Sequence, residues 1–110
     1  MNNWSPSKDL SAAAQYKEKS VFLLAARATR AFLEYAPMRY SNEETERIYR
    51  VIPYGPLLDV FVIDMRSYRG PNTYNRQETA GPETTYLGRP QLEWLKRGLA
   101  QSRATWKVIA

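Results

Sequence analysis

The sequence predicts an α/β fold with elements in the order helix, strand, strand, long loop, helix, strand. Three observations carry that expectation. Residues 11–36, SAAAQYKEKSVFLLAARATRAFLEYA, repeat apolar side chains at spacings of three and four. Two short apolar runs flank a turn at Tyr54-Gly55-Pro56. A second helical stretch, GRPQLEWLKRGLAQS, leads into ATWKVIA at the C-terminus.

The first helix is expected to start at Ser11, because the stretch is rich in Ala, Leu, Lys, Glu and Arg. Phe22, Ala25, Ala28, Phe32 and Tyr35 share its apolar face. Pro37 ends it, since the residue before a proline is pushed out of the α region. A polar stretch, SNEETE, follows at residues 41–46. The hairpin is next. Ile48, Val51 and Ile52 supply the first strand, and the second runs through Leu57–Asp64. The second strand is apolar on both faces, the pattern of a central strand covered on both sides. Asp59 interrupts it, and Arg50 across the hairpin is its expected partner. Residues 65–86 have no apolar period, and loops of about twenty residues in compact domains are usually either functional or disordered. In the second helix Pro90 lies in the first turn, where its missing N–H costs nothing, and Leu92, Leu95 and Leu99 form the stripe. Trp94 and Trp106 are expected in the core, the latter in a last strand over Thr105–Ala110.

Composition bounds the chemistry. The chain has 110 residues, the size of one small domain, and no internal repeat. A net charge of +5 suits anionic ligands without singling one out. Cysteine is absent, which excludes disulfides, thiolate metal sites and Cys nucleophiles. Histidine is also absent, and with it the commonest metal ligand and general acid/base near neutral pH. No metal site is therefore expected within these residues. The longest apolar run, Val21 to Ala26, is too short to span a bilayer, and the start, MNNWSPSKDL, has no signal-like apolar core.

The stretch that invites a functional reading is DVFVIDMRSYRGPNTYNRQ, residues 59–77. An apolar strand ends in Asp64 and runs into Arg66, Tyr68 and Arg69. Open α/β sheets bind ligands outside the carboxyl ends of their strands. An arginine there can donate paired hydrogen bonds to two phosphate oxygens. Two roles fit Asp64 and Arg66: a salt bridge holding the loop base, or a direct or supporting role at a phosphate. Position ranks Arg66 above Arg69, because Gly70-Pro71 turns the chain away after the latter. Tyr68 reads first as a packed aromatic, and Asn72, Tyr74, Asn75 and Arg76 read first as solvated loop.

These residues also carry a resemblance. An apolar strand ending in Asp-x-Arg-x-Tyr-Arg falls here on Asp64, Arg66, Tyr68 and Arg69. Leu-Gly-x-x-Gln-x-x-Trp-Leu falls on Leu87, Gly88, Gln91, Trp94 and Leu95. Ser-x-Ala-x-Trp-Lys-Val falls on Ser102, Ala104, Trp106, Lys107 and Val108. With the upstream AARATRAFLEYAPMR, the combination resembles the alkaline phosphatase D (PhoD-like) family of metallophosphatases over nearly the whole chain. The resemblance implies part of a metallophosphatase-type sandwich, and a phosphate-ester hydrolase using divalent or trivalent ions, calcium and iron. It also implies a periplasmic or secreted location. The family's Trp-Asp-Asp-His-Glu metal signature is missing, and in such proteins it sits just before an Asn-Asn-Trp-like segment such as the opening MNNWSP. Residues 1–110 are thus expected to be an internal segment of a PhoD-like domain, inactive alone, with the remainder of that domain as its partner. The rival expectation is a non-catalytic basic module binding nucleic acid or another polyanion, for which the 16 Lys and Arg and eight Tyr would serve. The cations form no stripe and no nucleic-acid-binding motif appears, so nucleic acid is the weaker partner.

Overall fold

Three strands form one sheet in the order β1-β2-β3: β1 is Arg50–Tyr54, β2 Leu58–Val62 and β3 Trp106–Ile109. The computed structural model describes residues 1–39, 46–74 and 76–110. Most of the expected SNEETE stretch, and Asn75, lie outside the described residues. Strands β1 and β2 pair antiparallel through the expected turn, with Val51 opposite Phe61 and Tyr54 opposite Leu58. Strands β2 and β3 pair parallel, with Leu58 beside Trp106 and Phe61 beside Ile109. A parallel pair needs a long crossover. Helix α2, Arg89–Gln101, lies on that crossover, after a 3-10 turn at Pro82–Thr84 that no apolar period announced.

The central place of β2 agrees with its apolar run. Its covering is one-sided among the described residues. Side chains alternate across a strand, and Phe61 is the buried member at 1 % exposure. The opposite face carries Tyr54, Leu58 and Trp106 in one row and Ile52, Val60 and Val108 in the next. Trp106 is 69 % exposed, against its expected place in the core. Trp94 does face the core side, tilted against Tyr49 at 4.9 Å and edge-on to Phe61 at 6.1 Å between ring centroids. Helix α2 can lie this close to β2 because of Gly98. A Cβ there would stand 2.7 Å from Cε1 of Phe61. Asp59 also departs from expectation. Its register partner on β1 is Pro53, and its carboxylate accepts a 2.5 Å hydrogen bond from the Ser102 hydroxyl at the end of α2. Arg50 instead donates to the Ile48 carbonyl. The stripe of α2 is narrower than expected: Leu95 is buried, Leu92 is exposed, and Gln91 takes an inward place.

Residues Ile48–Arg69 and Thr85–Ala110 make up this sheet unit. Met1–Arg47 and Gly70–Thr84 make a second unit, whose helix α1 spans Val21–Tyr35. Helix α1 starts ten residues later than the composition suggests. Ser20 explains the start: it is extended at φ −74° and ψ 108°, and its hydroxyl accepts from the Leu23 N–H. A serine hydroxyl filling an orphan amide is a strong helix-start signal. Before it, the Glu18 carboxylate takes the Ser20 N–H and Lys19 donates to the Ala13 carbonyl, and residues 11–19 form two short turns and an irregular stretch in place of helix. The end follows expectation: Ala36, before Pro37, is extended at ψ 132°. The inward residues are Val21 and Leu33, whereas Phe22 at 72 % and Tyr35 at 89 % exposure lie on the open side. The expected apolar face is therefore not the buried one. Leu10 and Ser5 are also buried in this unit, and Asn72 donates to the Asn3 carbonyl at 2.7 Å. No described helix is long and apolar enough to cross a membrane.

Candidate functional site

The backbone ladder of the sheet ends just beyond β2. The Ile63 N–H donates to the Ala110 carbonyl, and the next residue is Asp64. The backbone of Asp64 is paired by a side chain. Its N–H donates to Gln91 Oε1 at 2.7 Å, and its carbonyl accepts from Gln91 Nε2 at 2.8 Å. Gln91 has no exposed surface, so buried amide groups on both sides are satisfied. Its remaining Nε2 proton goes to the Leu87 carbonyl at 2.9 Å, one helical turn back.

From this anchor the chain turns. The Asp64 Oδ1 accepts the N–H groups of Arg66 at 2.8 Å and Ser67 at 2.9 Å. Aspartate commonly closes such turns on the backbone ahead of it. The loop base is thus held by carboxylate-to-amide bonds. Arg66 lies exposed on the turn. Tyr68 sits half-buried, its ring edge-on to Tyr49 at 5.5 Å. Gly88 makes this possible. Its φ of +71° is the left-handed region, and a Cβ there would meet the Tyr68 Cβ at 2.8 Å. Arg69 places its guanidinium carbon 4.7 Å from the centre of the Tyr86 ring, a cation–π arrangement. Its Nε is buried and has no hydrogen-bond partner.

Asp64, Arg66, Tyr68 and Arg69 therefore fall on one turn at the carboxyl end of the central strand. Tyr74 and Arg76 are exposed, and Asn72 is bonded within the other unit. Two residues that shape the turn had no functional reading in the sequence. Gln91 carried a signal, since it stands four residues before buried Leu95 and so shares its face. Tyr86 carried none. Among the described residues no three His, Cys, Asp or Glu side chains come together to hold a metal ion. The donor set here does not fit a metal centre.

A polar, cationic turn just past the central strand of an α/β sheet is the kind of place where such folds take anionic ligands. The pattern of the PhoD-like phosphatases matches residues 1–110, and the chain belongs to that family. Alkaline phosphatase D of Bacillus subtilis (strain 168) is 35% identical over 94 residues, covering 77% of this chain and 16% of that protein. A solved structure of PhoD superposes with a TM-score of 0.70 at 27% identity, covering 98% of this chain and 22% of that one. The chain thus spans less than a quarter of the length of the relatives it matches. The mixed α/β architecture agrees with that structure. The basic-module reading finds no support in these matches.

Proposed function

We propose that these residues are a segment of a metal-dependent phosphoesterase, and that their contribution is an anion-gripping turn. Family membership supports the reaction class. The observation that carries the turn's role is Arg69: a guanidinium stacked on Tyr86 whose buried Nε has no partner. A buried donor left unpaired costs about 1–3 kcal/mol, and a phosphate oxygen would remove that cost. Arg66, two residues past Asp64, offers a second guanidinium from the same turn. Phosphoryl transfer spreads negative charge over the nonbridging oxygens, which paired N–H donors stabilise. Asp64 shapes the turn through its amide bonds, and Tyr68 fixes it against Tyr49 and Gly88.

The metal ions, calcium and iron by resemblance, belong in this reading to parts of the relatives that this chain does not span. The three-stranded sheet is then part of one layer of a metallophosphatase-type sandwich, and the rest of that domain is its partner. A periplasmic or secreted location belongs to the same proposal and rests on the resemblance.

Two assays test it. The 110 residues alone, given a chromogenic phosphomonoester or diester with calcium and iron, should turn over no faster than a blank. Grafted in place of the matching segment of the Bacillus subtilis relative, they should support hydrolysis. In that graft Arg66→Lys keeps the charge and loses the paired donors, with an expected loss of about 1–3 kcal/mol in kcat/KM, and Arg69→Ala should lose as much. Variants that melt earlier yet keep their inhibition by inorganic phosphate would reduce both arginines to structural roles.

A further inference from the structure

We infer that Gln91 is a positioning residue of the Asp64–Arg69 turn, a side chain through which helix α2 sets where the Arg66 and Arg69 guanidinium groups stand toward a phosphate oxyanion. The inference rests on the phosphoesterase reading. Its basis is the set of groups Gln91 joins. One amide accepts the Asp64 N–H and donates to the Asp64 carbonyl, so it pairs both backbone groups of the residue that follows the last sheet bond of β2. The same amide donates to Leu87, the neighbour of Tyr86, whose ring lies under Arg69. The strand end that launches the arginines and the segment that carries the supporting ring are therefore fixed to one point. Both Nε2 protons are used, and the side chain is fully buried, so its rotamer has no freedom to relax. Hydrophobic replacement leaves three backbone groups unpaired. Glutamate keeps the acceptor for Asp64 but turns an oxygen toward two carbonyls.

Gln91→Glu and Gln91→Met in the graft test this, with the exposed helix-end variant Gln101→Glu as a control. Amide exchange at Asp64, Arg66 and Ser67 should quicken roughly tenfold or more in both variants, the fold-change that goes with losing about one net hydrogen bond. KM for a phosphomonoester and the inhibition constant of inorganic phosphate should rise together, with kcat changed less. Gln91→Glu should regain phosphate affinity as pH falls and its carboxyl gains a proton to donate, whereas Gln91→Met should not. Unchanged phosphate inhibition in both variants, measured below their melting temperatures, would make Gln91 scaffold only and overturn the inference while leaving the phosphoesterase reading standing. If the unsubstituted graft neither hydrolyses the ester nor binds phosphate, that reading fails and takes the inference with it.

Discussion

The two units are held by bonds of different reach. In the sheet unit, beside short bonds such as Arg66 to Asp64, some side-chain bonds join residues far apart in sequence: Asp64 with Gln91 across 27 positions and Ser102 with Asp59 across 43. In the unit of α1, the described side-chain bonds mostly span two to six positions, as in Ser11 to Asp9, Leu23 to Ser20 and Lys19 to Ala13. Asn72 with Asn3 is the exception, at 69. A long-range bond requires the intervening chain to be closed into a loop first. Once closed, it couples distant elements, so they are lost together. Short-range bonds carry little closure cost and little coupling. The candidate turn lies in the coupled unit, where its geometry is tied to a helix and two strands. A site needs that kind of support to hold its donors in place.

The comparison can be broken at Phe61. Phe61→Ala should cost about 3–5 kcal/mol, because it empties the contact among Trp94, Gly98 and β2. Exchange at Asp64 should rise with exchange in β1 and β3, while the amides of α1 change less. Equal loosening in both units would mean that they unfold as one body. Gly98→Ala comes next. Helix propensity alone favours alanine by about 1 kcal/mol, yet the added methyl meets Phe61 and overpacking of this kind costs about 1–3 kcal/mol. A lower melting temperature is expected. A higher one would show that the close approach of α2 to β2 is slack. Ser20→Ala sharpens the other side. Loss of this cap should cost about 1 kcal/mol and fray the first turn of α1, with the aromatic near-ultraviolet signal of the sheet unit unchanged.

Acid should show the smallest effect. Asp9 is held below its ordinary value of 3.8 by the Ser11 N–H first and the Ser11 hydroxyl second. A carboxyl with a depressed folded value stabilises above its unfolded value and ceases to do so as pH falls through the lowered one. Asp9→Asn should therefore lower the melting temperature slightly at neutral pH and make no difference well below about pH 4, so that the acid limb of the curve is flatter. A change of the same size at neutral pH and in acid would mean that the turn depends on the side chain's shape and not its charge.

Much of the architecture could be read from the residues. The hairpin, the parallel last strand's existence, and the second helix with Pro90 in its first turn all follow from local pattern. The misplaced start of α1 came from trusting composition over a cap: Ala12 to Tyr16 favour helix weakly, and Ser20 with Glu18 sets the boundary more strongly. The exposed side of α1 was misread because apolar spacing names a face without naming what covers it. Asp59 was given the wrong partner since the hairpin was visible and the crossover bringing Ser102 beside it was not. At the candidate turn, the sequence placed Asp64, Arg66, Tyr68 and Arg69 after the strand. It could not supply the Gln91 bracket or the Tyr86 ring, which depend on contacts between residues 17 to 27 positions apart.

The parallel pairing of β2 with β3 also sets a timetable. During synthesis β1 and β2 emerge together and can close their hairpin at once. Strand β3 follows β2 by about 40 residues, an interval of roughly 2–8 s at about 5–20 residues/s. For that time one edge of an apolar strand has no mate, and Gln91, still unmade or inside the ribosome, cannot yet bracket Asp64. Much of the stretch delivered before α2, SYRGPNTYNRQETAGPETT at residues 67–85, is poor in apolar residues and carries two Gly-Pro pairs. Such a stretch is ill suited to pairing with a waiting strand. The same polar loop that furnishes the cationic turn thus also keeps β2's open edge from being claimed by the wrong segment before the right one arrives.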